Sequence, residues 1–216
     1  MASGIGVVIP SFNCARHLGT ALESVLGQTL AVDHIVVVDD GSTDDTARLV
    51  KKFGRAVQYL YQPNQGIGAA RNTGVDVLDD PYLAFLDADD YWSADKTEHQ
   101  LPVLAGSAFD AVFGQIREFT HGQPPQATTS GGYSACTLLI RRDSFLQVGG
   151  FRRDTRLGEF VDWFARFRDA GLAATSLNRT VLYRRIHQDN SGVRDRAHRA
   201  DYHRVLKAAL DRRRRP

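Results

Sequence analysis

The chain has 216 residues, 43% hydrophobic and 24% charged, and its 27 basic and 25 acidic side chains give a formal net charge of +2. That composition excludes collagen-like, disulfide-framework and wholly disordered chains, and the length suits one largish domain with an appendage. The near-neutral total covers an asymmetry, because residues 1–99 sum to −7 and residues 194–216 to +6, with Arg212 to Arg215 supplying four of the positive charges.

In chain order, short β-branched runs alternate with helical patterns. A strand over Gly6 to Ile9 precedes a helix with Leu18, Ala21, Leu22 and Val25 at helical spacing, and Ile35 to Val38 forms the second strand. Ala47 to Phe53 reads as a helix, Val57 to Tyr61 as a strand, Ile67 to Leu78 as a helix and Tyr82 to Leu86 as a strand. Apolar runs without alternation are the signature of strands buried on both faces, so the fold class is α/β, with a mostly parallel central sheet flanked by helices. Beyond residue 100 the strands Ala111 to Phe119 and Thr137 to Ile140 flank a Gly/Pro/Gln-rich loop, His121 to Gly132, which reads as a lid or a surface excursion. Phe160, Trp163, Phe164 and Phe167 recur at helical spacing as core contacts. Ala174 to Ile186 is extended, and 195–211 is an amphipathic helix with Tyr202, Val205, Leu206 and Ala209 on one side.

Cys14 and Cys136 lie far apart without CxxC spacing, so no zinc site is indicated and a reducing compartment is the simplest expectation. No apolar run approaches the roughly 20 residues of a membrane span, and no signal-peptide pattern opens the chain; the expected location is cytoplasmic. The arginine-rich end reads as a solvated terminus rather than a nucleic-acid site, which leaves peripheral contact with anionic lipid at the inner membrane face open.

In an open α/β sheet, ligands bind at the carboxyl ends of the strands. Here those ends read Pro10-Ser11-Phe12-Asn13, Asp39-Asp40-Gly41-Ser42, Gln62-Pro63-Asn64-Gln65-Gly66 and Asp87-Ala88-Asp89-Asp90. Asp87 and Asp89, two apart at a strand end, can both reach a hard divalent cation. An isolated DxD reads first as an acidic turn or, with Asp90, a helix cap. Two other polar strand ends on the same rim favour the cation, because an acidic edge repels a phosphorylated ligand unless a cation intervenes. Arg71 could place its guanidinium on a phosphate or pair with a rim carboxylate. No GxxxxGK[ST] is present and no GxGxxG follows the first strand, so P-loop and dinucleotide readings drop.

Five blocks then carry a family resemblance: VVIPSFN (Val7 to Asn13), IVVVDDGSTDDT (Ile35 to Thr46), NQGIGAARNTG (Asn64 to Gly74), YLAFLDADDYW (Tyr82 to Trp92) and VGGF (Val148 to Phe151). In this order, over about two-thirds of the chain, they resemble the family 2 glycosyltransferases of the GT-A fold. The resemblance implies a Rossmann-like nucleotide-sugar half over 1–99 and an acceptor half over 100–193 within one domain, followed by a basic helix and tail at 194–216. It implies that Pro10 and Phe12 shape a base pocket, that Asp39 hydrogen-bonds the nucleobase, and that Asn64, Gly66 and Arg71 lie at the nucleotide. Asp87 would sit near ribose or metal, and Asp89 would be the principal ligand of Mn²⁺ or Mg²⁺, with His187 in RRIHQDNSG as a third contact. The other histidines, His17 among them, show no ligand spacing and read as surface residues.

The implied reaction is metal-dependent, inverting transfer of one sugar from a nucleoside diphosphate sugar, usually of UDP, to a hydroxyl or similar nucleophile. The acceptor is a glycan, lipid carrier, peptide or small molecule. The family's base usually belongs to an adjacent Glu-Asp pair shortly after VGGF. Here the stretch is Gly158-Glu159-Phe160-Val161-Asp162-Trp163, with Phe160 where the usual base stands. Glu159 and Asp162 are three apart and share a helical face; Asp162 is the first choice for the base and Glu159 the second. The missing pair motivates the alternative of a catalytically impaired nucleotide-sugar-binding protein.

Overall fold

The computed structural model describes residues 3–120, 122, 124–126, 128–187 and 200–214. Strands β1 (Ile5–Ser11), β2 (His34–Asp39), β3 (Gln58–Tyr61) and β4 (Tyr82–Phe85) form a parallel block in the order β3-β2-β1-β4. The sheet continues through β8 (Leu139–Arg141), β6 (Ala111–Thr120), β9 (Ala174–Ile186) and β5 (Tyr91–Trp92), with β7 (Ser130–Gly132) beside β6. Here the direction mixes: β8 is antiparallel to β4 and β6, β9 is parallel to β6, and β5 and β7 are antiparallel to their neighbours. The parallel character expected from the apolar runs thus belongs to the first half, and the whole sheet is mixed.

The apolar runs of β1 and β2 feed two cores. Ile5, Val7, Ile9, Ile35 and Val37 pack with α1 (Ala15–Leu26), α2 (Thr46–Lys51) and α4 (Lys96–Ala105) on one face. Val8, Val36 and Val38 pack on the other face with α3 (Ile67–Asp76), α5 (Arg142–Val148) and α6 (Glu159–Asp169). Each strand residue points to the face opposite its neighbour's, so a strand covered on both sides must be apolar throughout. Trp163 and Phe167 of α6 are buried in the second core, with Phe160 and Phe164 packed against it. The last helix, α7 (Ala200–Arg214), buries Val205 and Asp201 while Tyr202 is exposed. Residues 195–199 and Arg215, and the side chains of Leu206 and Ala209, lie outside the described residues.

Three elements depart from the sequence reading. Asp90 caps no helix; it precedes β5, and its carboxylate accepts the backbone N–H of Arg185 at 2.8 Å. Part of the expected loop, Ser130–Gly132, is β7, paired with Gly114 to Ile116 of β6. Helix α3 opens Gly-rich because it packs close: a Cβ on Gly68 would strike the carbonyl oxygen of Arg152, and one on Gly74 would strike the Val8 side chain. These glycines therefore serve contact between elements rather than a phosphate.

Helix α4 buries three polar side chains, Lys96, Thr97 and Gln100, alongside Leu104. The Lys96 ammonium donates to Gln100 Oε1 at 2.6 Å and the Leu138 carbonyl at 3.3 Å, and lies 4.3 Å from the centre of the Trp92 ring. Burial, with no carboxylate partner among the described residues, pulls its pKa down to about 7. From about 7 to the unfolded value of 10.5 the unfolded chain binds a proton that the folded chain does not, so this group makes stability rise with pH there. The full effect is on the order of 5 kcal/mol at about 1.36 kcal/mol per unit. Denaturant unfolding of the native protein and of a Lys96 variant, compared between about pH 7 and 8.5, isolates this rise from the opposing ionisation of Cys14 and Cys136 in the unfolded chain. Lys96→Met should remove it.

Candidate functional site

The carboxyl ends of β1, β2 and β4 open onto a cavity of about 340 Å³. Pro10, Ser11, Phe12 and Asn13 line it from the end of β1, Asn64, Gly66, Ile67 and Ala70 from the start of α3, and Asp87 to Asp90 from the end of β4. Asp40, His187 and three arginines, Arg16, Arg156 and Arg184, complete the wall. Asn13 adopts φ 50°, a left-handed conformation that asparagine tolerates, and its Oδ1 accepts the backbone N–H of Thr43 at 2.8 Å. This bond ties the first strand end to the second.

Of the residues predicted from sequence, Pro10, Phe12, Asn64, Gly66, Asp87, Asp89 and His187 are therefore on one wall. Asp89 and His187 meet across it, with His187 Nε2 2.9 Å from Asp89 Oδ2. Burial, together with the Asp87 charge, pushes the Asp89 carboxyl above its ordinary range, and His187 pulls it back down. Asp90 is pushed well above the usual range by burial and by Asp89 and Asp87. Asp87, Asp90 and the buried Cys136 each bring one potential ligand atom within 4.8 Å of the others. The Asp87 charge bearing on both Asp89 and Asp90 marks a concentration of negative charge, and carboxylate oxygens beside an imidazole are a donor set suited to a divalent cation. Cys14, also on the wall, is pushed up to about 12 by burial and by Asp89, Asp44, Asp87 and Asp90, so it stays a thiol at neutral pH.

Arg71 lies behind this wall. Its guanidinium is 3% exposed and donates to Asp87 at 2.7 Å and to Glu159 at 2.6 Å. Burial opposes its charge, and the two carboxylates hold it protonated, above the arginine range. Both terminal nitrogens are thus committed, so the reading of Arg71 as a partner of the rim carboxylates holds and its guanidinium does not face the nucleotide cavity. Next to it, Asn72 bonds both backbone groups of Phe151, at 2.9 and 2.8 Å, which locks α3 to the VGGF segment.

Two predicted positions need correction. Asp39 is 1% exposed and off the cavity wall, its oxygens taken by the Tyr59 hydroxyl at 2.7 Å and the Ser42 N–H at 2.7 Å. Successive residues at a strand end face opposite ways, and it is Asp40 that reaches the cavity. Asp40 accepts from Gln62, Gln65 N–H and Gly66 N–H. Asp162 is likewise 1% exposed and turned from the cavity into arginines, with Arg166 at 2.8 Å, Arg212 at 3.2 Å and Arg152 at 3.9 Å. Residues three apart on a helix differ by about 60° in direction, which suffices to send Glu159 to Arg71 and Asp162 to the α5/α7 side. Arg212, expected in a solvated tail, is part of this cluster and also meets Asp169 at 3.3 Å. Phe160 stacks with Trp163 and Phe164 inside the aromatic core.

Sequence reasoning passed over His17, Arg16, Arg156 and Arg184 on the wall, and read Asp40 as part of a strand end without giving it a role. His17 had a signal: it falls in the first turn of α1, directly after a rim strand, one position before the buried Leu18.

The sequence model of Glycosyl transferase family 2 matches residues 6–168. An uncharacterized glycosyltransferase of Rickettsia prowazekii is 36% identical over 186 residues, covering 76% of this chain and 58% of the relative. Glycosyltransferase AglE of Haloferax volcanii is 30% identical over 195 residues, 79% of this chain and 63% of that one. The chain therefore spans less than two-thirds of either relative. Among solved structures, S. aureus TarS 1-349 in complex with UDP-GlcNAc shares the α/β fold with its mixed, helix-flanked sheet. The TM-score is 0.78 at 17% identity, over 97% of this chain and 65% of that chain.

Proposed function

The chain belongs to glycosyl transferase family 2, and we propose that it moves one sugar from a nucleoside diphosphate sugar to an acceptor hydroxyl, with inversion at the anomeric carbon. The observation that carries this reading is a cavity at the carboxyl ends of parallel strands lined by Asp87, Asp89 and His187, with Asp89 and His187 2.9 Å apart. UDP is the proposed nucleotide, supported by the UDP-GlcNAc complex of the similarly folded TarS. Asp89, Asp87 and His187 would hold Mn²⁺ or Mg²⁺, and the imidazole favours Mn²⁺. When bound, such a cation neutralises charge on a departing diphosphate.

The remaining roles follow from the chain's own groups. Asp40 replaces Asp39 as the proposed partner of the nucleobase: its Oδ2 carries one hydrogen bond, from Gly66 N–H at 2.8 Å, and keeps acceptor capacity toward the cavity. Pro10 and Phe12 flank that position. Glu159 replaces Asp162 as the proposed base. Arg71 fixes one of its oxygens, and the other has no hydrogen-bond partner among the described residues. Asp162, by contrast, spends both oxygens on arginines. An acceptor hydroxyl becomes acidic as it attacks, and a carboxylate that takes its proton contributes about 10²–10⁴-fold.

The second reading, a protein that binds a nucleotide sugar without transferring it, is favoured by Phe160 packing into the core where relatives of this family usually carry the base. Among the described residues no helix is long and apolar enough to cross a membrane. Incubation with UDP-sugars, Mn²⁺ and a panel of glycan, lipid-phosphate and peptide acceptors tests the two readings. UDP release with a glycosylated product of inverted configuration by NMR supports transfer; donor binding without transfer or donor hydrolysis across the panel supports the second.

A further inference from the structure

We propose that His17 is a positioning residue for the cation site, holding the His187 imidazole against Asp89; this rests on the metal-binding reading of that site. The two histidine rings lie 5.5 Å apart between centroids at an interplanar angle of 41°, a packed, tilted contact. Both line the cavity. His187 stands one residue beyond the last residue of β9, where strand pairing no longer fixes its ring. His17 stands on the opposite side, in the first turn of a helix anchored by the fully buried Leu18, Ala21, Leu22 and Val25. Its backbone N–H donates to the Cys14 carbonyl at 3.0 Å, which closes that first turn. A ring on a rigid helix thus packs against a ring at a strand end, and the second ring places Nε2 2.9 Å from Asp89 Oδ2. Groups that orient a ligating histidine typically matter about 10–100-fold in metal affinity.

The packing function needs a ring and the ligand function needs a nitrogen, so substitutions separate them. Electron paramagnetic resonance of free Mn²⁺, titrated with the full chain in the absence of nucleotide and acceptor, reads affinity without any transfer assay. His17→Ala should weaken Mn²⁺ binding by about tenfold, and His17→Phe should stay within about twofold of the native protein because the ring contact is kept. His187→Ala should weaken binding, and adding His17→Ala to it should cost nothing more, as expected when one residue acts only through the other. Competition with Mg²⁺ adds a readout that a merely structural role would not move: His17→Ala should lower the preference for Mn²⁺. Equal losses in His17→Phe and His17→Ala would make His17 itself a ligand and overturn the positioning role. So would native affinity in His17→Ala alongside weakened binding in His187→Ala. Native Mn²⁺ affinity in His187→Ala would instead overturn the metal reading of the site. Unchanged far-UV circular dichroism and melting temperature show that each variant is folded.

Discussion

Asp89→Ala is expected to lower sugar transfer at least about 10³-fold, equivalent to roughly 4 kcal/mol of transition-state stabilisation, while the protein remains folded. The expectation rests on where the carboxylate stands. Asp89 is on the cavity wall, within 2.9 Å of His187 and close enough to Asp87 for that charge to push its carboxyl up. Removing it relieves repulsion in the apo protein, since burial and Asp87 both push its carboxyl up. Thermal unfolding without metal should therefore show no loss of stability. The same variant should lose the stabilisation that Mn²⁺ gives the native chain, because a ligand that binds only the folded state raises the melting temperature. A folded Asp89→Ala with native turnover would remove Asp89 from the reaction.

The second large effect separates the two carboxylates of α6. Glu159→Gln should reduce kcat by about 10²–10⁴-fold, the usual contribution of a general base, with donor affinity within a few-fold of native. The amide keeps an oxygen for Arg71, so the buried guanidinium is not stranded. Asp162→Asn should leave kcat within a few-fold and instead cost about 2 kcal/mol of stability. That is below the roughly 3–5 kcal/mol of a broken fully buried pair, because its arginine partners are already partly solvated at 22 to 33% exposure. Steady-state kinetics and urea unfolding of both variants check this. The reverse pattern, with kcat lost in Asp162→Asn and kept in Glu159→Gln, would restore Asp162 as the base.

Most of the rim was legible in the sequence because of how buried strands are written. Val7 to Ile9, Ile35 to Val38 and Leu83 to Leu86 must be apolar on both faces, so the first polar residue after each run marks the sheet edge where ligands collect. That rule located Asp87, Asp89, Asn64 and Pro10 without structure. It could not choose between Asp39 and Asp40, because adjacent residues at a strand end point to opposite faces and only the pairing register says which is inward. The bounds of helix α4 were not legible because three of its four buried positions, Lys96, Thr97 and Gln100, are polar and because Pro102 interrupts its hydrogen bonding. Asp162 was misjudged for a different reason. Glu159 and Asp162 share a helical face in outline, but three arginines from α6, α7 and the segment before α6 supply the charge that draws Asp162 inward. Arg166 stands at i+4 on the same helix and is visible locally, but Arg212 is 50 residues away and leaves no local trace. His17 carried only its position at the start of a helix behind a rim strand, and its meaning depends on His187, which lies 170 residues further along the chain.

The claim on which these roles depend is that the acidic wall becomes a nucleotide site through a cation. Calorimetric titration of UDP into the full chain, once with Mn²⁺ and once with a chelator, tests it most directly. The geometry predicts binding with Mn²⁺ and affinity at least about tenfold weaker without it, since four carboxylates, against three arginines on the same wall, then meet the diphosphate without the cation. UDP binding of equal affinity in chelator, or no nucleotide binding in either condition, would contradict it.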